Sequence, residues 1–184
     1  MKIYRRFVYC VCYLVIWLGC LPSGVRAEST LELEKSARGA LSSLYRRNPE
    51  AVAVNNSAVA VLVFPEVHKI GAGIAIETGT GVLLRKLTPV EYYNLSGLAV
   101  GLELGCQKFS RAIFFMNEDI LGRFIHSSGF DISLETSLVI ADGIYACHRS
   151  LADGDIEVFV FDESGLMVSK GIRTIKVSEY FPSY

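Results

Sequence analysis

Residues 59–85 read VAVLVFPEVHKIGAGIAIETGTGVLLR, a stretch that constrains the fold more than any other part of the chain. Valine, leucine and phenylalanine dominate residues 59–64, a composition that fits pleated backbone better than helix, and Pro65 stops the run. Gly71, Gly73, Gly79 and Gly81 then punctuate a series of small and branched residues. Glycine removes the side chain that would hold two backbones apart, so this pattern suits consecutive strands in close approach to something. It does not suit a dinucleotide loop. The third glycine of that loop would fall where Ala75 or Ile76 stands, and a helix would have to follow. Residues 77–81 read instead as a turn and 82–84 as the next strand. A glycine-rich hairpin that binds nothing has the same pattern.

The chain has 184 residues, and the first 27 read as an address. Lys2, Arg5 and Arg6 precede an apolar run at 7–21 that is short for a bilayer span, and Pro22-Ser23-Gly24 breaks it. Val25-Arg26-Ala27 places small residues where a signal peptidase reads, so cleavage is expected after Ala27, leaving one domain at 28–184. A lipoprotein through Cys20 is the alternative, although Trp17 starts a lipobox poorly, and Arg5-Arg6 fits a twin-arginine signal weakly. The expected destination is the periplasm or cell envelope of a Gram-negative bacterium. Loss of Lys2, Arg5, Arg6 and Arg26 takes 18 basic residues to 14 against 19 acidic ones, a net of −5. Such a chain has no global attraction for nucleic acid or an anionic membrane, so a local cluster must supply any such contact. Cys106 and Cys147 remain after cleavage. A disulfide and two buried thiols are both open readings.

Ser29-Thr30-Leu31-Glu32 has capping-box spacing and starts a helix. Leu33, Ala37, Ala40, Leu41 and Leu44 share one face of it, with Lys35, Arg38 and Arg46 roughly opposite. Asn48-Pro49 ends that helix, and a short second one starts at Pro49. Strands are expected at about 58–64, 70–77, 81–87, 98–106, 109–116, 133–141, 156–162 and 166–176, with a helix at 117–127 capped by Asn117. The last two strands read as a hairpin around Glu163-Ser164-Gly165. Short connections favour antiparallel pairing. The fold class is α+β: one domain, mainly antiparallel sheet of sandwich or barrel-like form, with an N-terminal amphipathic helix and one further helix near 117–127.

Chemistry is thinly signalled. His68, His126 and His148 are scattered, with neither HExxH nor paired cysteine spacing, so no metal site is expected. Asn94-Leu95-Ser96-Gly97-Leu98 lacks the glycine that precedes a nucleophile-elbow serine. No catalysis and no cofactor are expected. Tyr92-Tyr93-Asn94 suits a headgroup boundary or a core edge equally. Glu103 and Gln107 fall on the strand face of Gly101 and Gly105, where they either orient a headgroup or meet solvent.

The order of Val63-Phe64-Pro65, Lys69-x-Gly71-x-Gly73, Gly79-x-Gly81-Val82-Leu83, Tyr92-Tyr93-Asn94, residues 101–107 (GLELGCQ) and Gly165-Leu166-Met167 resembles the SYLF lipid-binding domain family. That family includes exported bacterial proteins and a domain of yeast actin-binding cortical-patch proteins. The resemblance covers nearly all of the mature chain and rests on order and spacing, since no single motif is specific. It departs at Cys106, where a small alanine is usual, at His68, and in a looser C-terminal strand. It implies a non-catalytic domain that binds phospholipid or membrane surfaces, with Lys35, Arg38, Arg46 and Arg47 on headgroups. Lys69, Arg85, Lys86, Tyr92 and Tyr93 are further candidates. An exported chain is not expected to meet actin. A cluster of three or four cations gives roughly 3–4 kcal/mol, near millimolar binding. Firmer attachment needs apolar burial, through the helix face or an acyl chain held in the glycine-lined region. A structural, self-associating envelope protein is the competing reading.

Overall fold

The computed structural model describes residues 30–127, 130–139 and 155–180. The expected leader, its Cys20 alternative and Cys147 lie outside them. Helix α1 (Thr30–Arg47) buries Leu33, Ala37, Ala40, Leu41 and Leu44, the five positions that its apolar spacing picks out. Helix α2 (Pro49–Ser57) begins where the Asn48 side chain accepts hydrogen bonds from the Glu50 and Ala51 amides at 2.9 and 3.2 Å. Proline at its first position has no amide to leave unpaired. Helix α3 (Glu118–Ile125) is capped by Asn117, whose Oδ1 accepts from the Ile120 amide at 2.9 Å.

Four strands form one antiparallel sheet in the order β1-β2-β4-β3: β1 Ala60–Arg85, β2 Thr88–Phe115, β3 Phe130–Val139 and β4 Ile156–Glu179. The α+β class expected above is the one found. The short strands are not. Those expected at 58–64, 70–77 and 81–87 are one strand, and so are those at 98–106 and 109–116. The hairpin expected at residues 163–165 is a kink within β4, with Asp162 at φ 53° and Gly165 at φ 102°. Lys86 (φ 49°) and Leu87 (φ 64°) join β1 to β2 in a two-residue turn, the positive angles matching the twist of the ribbon.

Straight, β1 would reach roughly 85 Å. It folds back on itself instead. A Cβ on Gly81 would stand 2.6 Å from the Val63 carbonyl oxygen and from the Phe64 ring, and one on Gly79 2.9 Å from the Glu66 oxygen. The end of β1 therefore lies across its own beginning, and glycine permits the contact. The reversal passes through the register shift between Ala72 and Ile74, where Gly73 takes φ 90°. Gly81→Ala is expected to cost about 1–3 kcal/mol by overpacking, read as a lower urea midpoint. Gly39→Ala, on an exposed helix position with open space around it, should instead stabilise by up to about 1 kcal/mol.

Folding the sheet creates an inside and an outside. Inside the proximal half, Leu62, Phe64, Leu83, Leu95, Ile113, Ile175 and Val177 pack with α3, and Phe124 meets Tyr93 and Phe115 at ring distances of 4.7 and 4.8 Å. On the outside of that half, α1 lies over Val61, Val63, Val82, Leu84, Ala112, Phe114, Phe159 and Phe161.

Candidate functional site

Helix α1 covers the outer face over the proximal half alone. Beyond it, alternate residues of β1 and β2 stand bare: Ile70, Ala72, Ile74 and Ile76 on one strand, Leu98, Val100, Leu102 and Leu104 on the other. The pairings Ala72↔Leu104, Ile74↔Val100 and Ile76↔Leu98 bring them into one surface, and β4 adds Leu166 opposite Cys106. Exposure runs from 52% at Leu98 to 62% at Leu104 along β1 and β2, and reaches 84% at Leu166. Single exposed aliphatics are ordinary, but a contiguous set of this size is not.

Behind this face the interior carries charge. Lys69 Nζ lies 2.8 Å from Glu103 Oε2 and 3.8 Å from Glu77 Oε1. Arg111 Nη2 donates to Glu77 Oε2 at 3.0 Å, and Arg173 Nε is 2.7 Å from Glu77 Oε1. All five residues are buried, and the Arg111 guanidinium sits 5.0 Å from the centre of the Phe109 ring. Burial pushes the Glu77 carboxyl upward, but Arg111, Arg173 and Lys69 outweigh it and hold the group ionised. Burial, reinforced by Arg173, lowers the Lys69 ammonium against the pull of its carboxylates. Burial raises Glu163 in spite of Arg173, Gln107 and Lys69. The distal half is thus patterned in reverse, with large aliphatics outside and small or charged residues inside.

Between the bare tip and α1 runs a groove of about 1170 Å3. Thr78, Thr80, Asn94 and Ser96 form its sheet wall, with Thr78 opposite Ser96 and Thr80 opposite Asn94. Glu66, His68 and Lys108 stand at its margin, His68 Nε2 2.7 Å and Lys108 Nζ 3.2 Å from Glu66 Oε1. This polar belt offers hydrogen bonds and mixed charge. Among the described residues no group of His, Cys, Asp and Glu is placed to hold a metal ion.

The sequence-derived candidates do not gather into one site. Lys35, Arg38, Arg46 and Arg47 are exposed along α1, where Arg46 donates to Ser42 at 3.0 Å and Arg47 pairs with Asp162 at 2.8 Å. The apolar face of the same helix is buried in the core, so it is not a surface that meets lipid. Lys69 belongs to the interior network. Arg85 pairs with Glu118 and Lys86 is exposed at the β1–β2 turn. Tyr92 is half-buried and donates to Glu34 at 2.7 Å, while Tyr93 is buried and donates to Glu91. The glycines do not line an acyl cavity; Gly71, Gly79, Gly81 and Gly97 have heavy atoms within 3.0 Å of where a Cβ would be, so the space is closed. Glu103 binds Lys69 inside the fold, so it neither orients a headgroup nor meets solvent. Cys106 is disulfide-bonded, which decides between the two readings of that residue. The aliphatic face was signalled by the alternation Lys69-Ile70 and Ile74-Ala75-Ile76-Glu77, but alternation does not say which side is inside.

No protein-family model matches the chain, and no curated protein does either. The likeness to the SYLF family rests on the order of its own motifs.

Proposed function

We propose that this protein binds lipid surfaces without catalysis, and that the bare aliphatic face of the β1–β2 tip is the contact. One observation carries the reading: the distal half places isoleucine, leucine and valine outward and paired charges inward. Strands in contact with lipid follow this alternation, and strands in water follow the opposite one. No helix among the described residues is long and apolar enough to cross a membrane, and the proposed contact needs none.

The magnitudes favour this surface over the helix cations. Covering seven half-exposed aliphatic side chains yields about 1 kcal/mol each, roughly 7 kcal/mol together, a dissociation constant on the order of 10 µM. Arg47 is already paired, and the exposed cations of α1 sit on a chain of acidic mature charge. Substituting Lys35, Arg38, Arg46 and Arg47 by glutamate is therefore expected to weaken liposome flotation by less than about tenfold, under about 1.4 kcal/mol for the four together, because these residues lie on α1 and not on the proposed contact. Complete loss of flotation in that variant would return the contact to the helix.

The competing reading, a self-associating envelope protein, gives the same face to another protein surface. Light scattering across a concentration series separates the two, since a lipid-binding monomer keeps its mass at every concentration.

A further inference from the structure

Building on the lipid-surface reading, we infer that the tip enters the hydrocarbon of a single leaflet and responds to acyl-chain packing, not to headgroup charge. The length of the bare surface sets the depth. Its alternation runs over residues 70–76 and 98–104, seven residues on each strand. A strand needs about 9–11 residues to cross a bilayer, and this one is also bent. The aliphatic surface therefore ends within one leaflet.

Composition sets what the surface reads. The face carries isoleucine, leucine, valine and alanine, without the tyrosine and tryptophan that settle at headgroup level. At its margin Lys108 and His68 share Glu66. The polar groove, with Thr78, Thr80, Asn94 and Ser96, lies between the tip and α1, at the level headgroups would occupy once the tip is immersed. Its hydroxyl and amide groups serve a zwitterionic headgroup as well as an anionic one.

Shape chooses hydrocarbon over a second copy. The sheet folds away from this face, as the Gly81–Val63 contact requires, so the face is convex. A two-fold pair needs a self-complementary patch, which two convex knobs do not provide. Fluid acyl chains close around a knob wherever their packing leaves room.

Equilibrium binding of the purified protein to three kinds of vesicle tests this: fluid unsaturated phosphatidylcholine, the same lipid with about one-fifth phosphatidylglycerol, and gel-phase saturated phosphatidylcholine. Affinities for the two fluid vesicles should agree within about threefold and hold up to about 0.5 M salt, where exposed charges are screened. The gel-phase affinity should be at least tenfold lower, about 1.4 kcal/mol, and encapsulated dye should stay inside. A requirement for the anionic lipid, with release in salt, would overturn the inference while keeping the lipid reading. Equal binding to gel and fluid vesicles, or dye release, would overturn it likewise. Failure to bind either fluid vesicle would sink the lipid reading itself. A concentration-dependent dimer that Leu102→Asn dissociates would assign the face to a second copy and refute both.

Discussion

Leu102→Glu combined with Leu104→Glu is expected to abolish liposome attachment and to leave the fold intact. Both side chains are more than half exposed, so neither supports the core, and exposed substitutions away from special features change stability within about 0.5 kcal/mol. At a lipid contact the same changes remove two apolar anchors and place two carboxylates where hydrocarbon would be. Each site then loses about 1 kcal/mol of burial and adds on the order of 1 kcal/mol or more for the charge, about 4 kcal/mol for the pair, near a thousandfold. Flotation read beside circular dichroism and thermal unfolding checks both halves of the statement. A folded double variant that still floats like the parent would exclude this surface.

The second large effect lies inside the tip. Glu77→Gln keeps the shape of the side chain and removes the charge that Arg111, Arg173 and Lys69 share. Removing one partner of a buried ion network costs about 3–5 kcal/mol, because the remaining charges keep their desolvation penalty. At this chain length that is about 10 °C in melting temperature. Arg111→Met added to Glu77→Leu removes one charge of each sign, and should destabilise less than Glu77→Gln alone. The inequality is the diagnostic: if the double change proves worse, packing around Glu77 matters more than its charge. A pH dependence follows from the same group. The folded Glu77 pKa is depressed, so its contribution is present above the ordinary carboxylate range and disappears as pH falls through the folded value. Urea midpoints measured downward from neutral pH should therefore fall more steeply in the parent than in Glu77→Gln.

Tyrosine supplies a check at the other end of the scale. Burial raises the Tyr45 hydroxyl to about 12, and burial with Glu91 raises Tyr93 further in the same direction. A raised folded pKa means stability present below the unfolded value near 10, then lost as pH rises toward the folded one. Ultraviolet titration should show these two phenols ionising together with alkaline unfolding.

The parts of the fold that follow from local rules were legible in the sequence. The spacing of Leu33, Ala37, Ala40, Leu41 and Leu44 named the buried face of α1, and Asn48-Pro49 and Asn117 marked helix boundaries now seen with their capping bonds. Long-range consequences were not. Pro65 and the glycine pairs look like breaks between short strands, and in isolation they would be. Here Pro65 lies in the register shift between Phe64 and Val67, while Gly73 and Gly81 let one long strand turn back and touch itself. In the sequence Lys69 reads as a headgroup candidate and Glu77 as part of a turn, because burying them needs Arg111 and Arg173 from β2 and β4. No local window contains those partners. The aliphatic face was hidden for the same reason: Ile70, Ile74 and Ile76 would ordinarily be assigned to the core, and only the folded sheet shows the core already filled.

The outward placement of alternate aliphatic side chains in the tip has a further consequence. Its side chains are interchangeable among aliphatics of similar size, but its length is not. Deleting a single residue between Ile70 and Glu77 would invert the parity of the segment, turning carboxylate and ammonium groups outward and forcing isoleucines toward an interior where a methyl on Gly71 would already lie 2.7 Å from the Ala75 Cβ. Substitution is the mild lesion in this segment, and a one-residue deletion is the severe one.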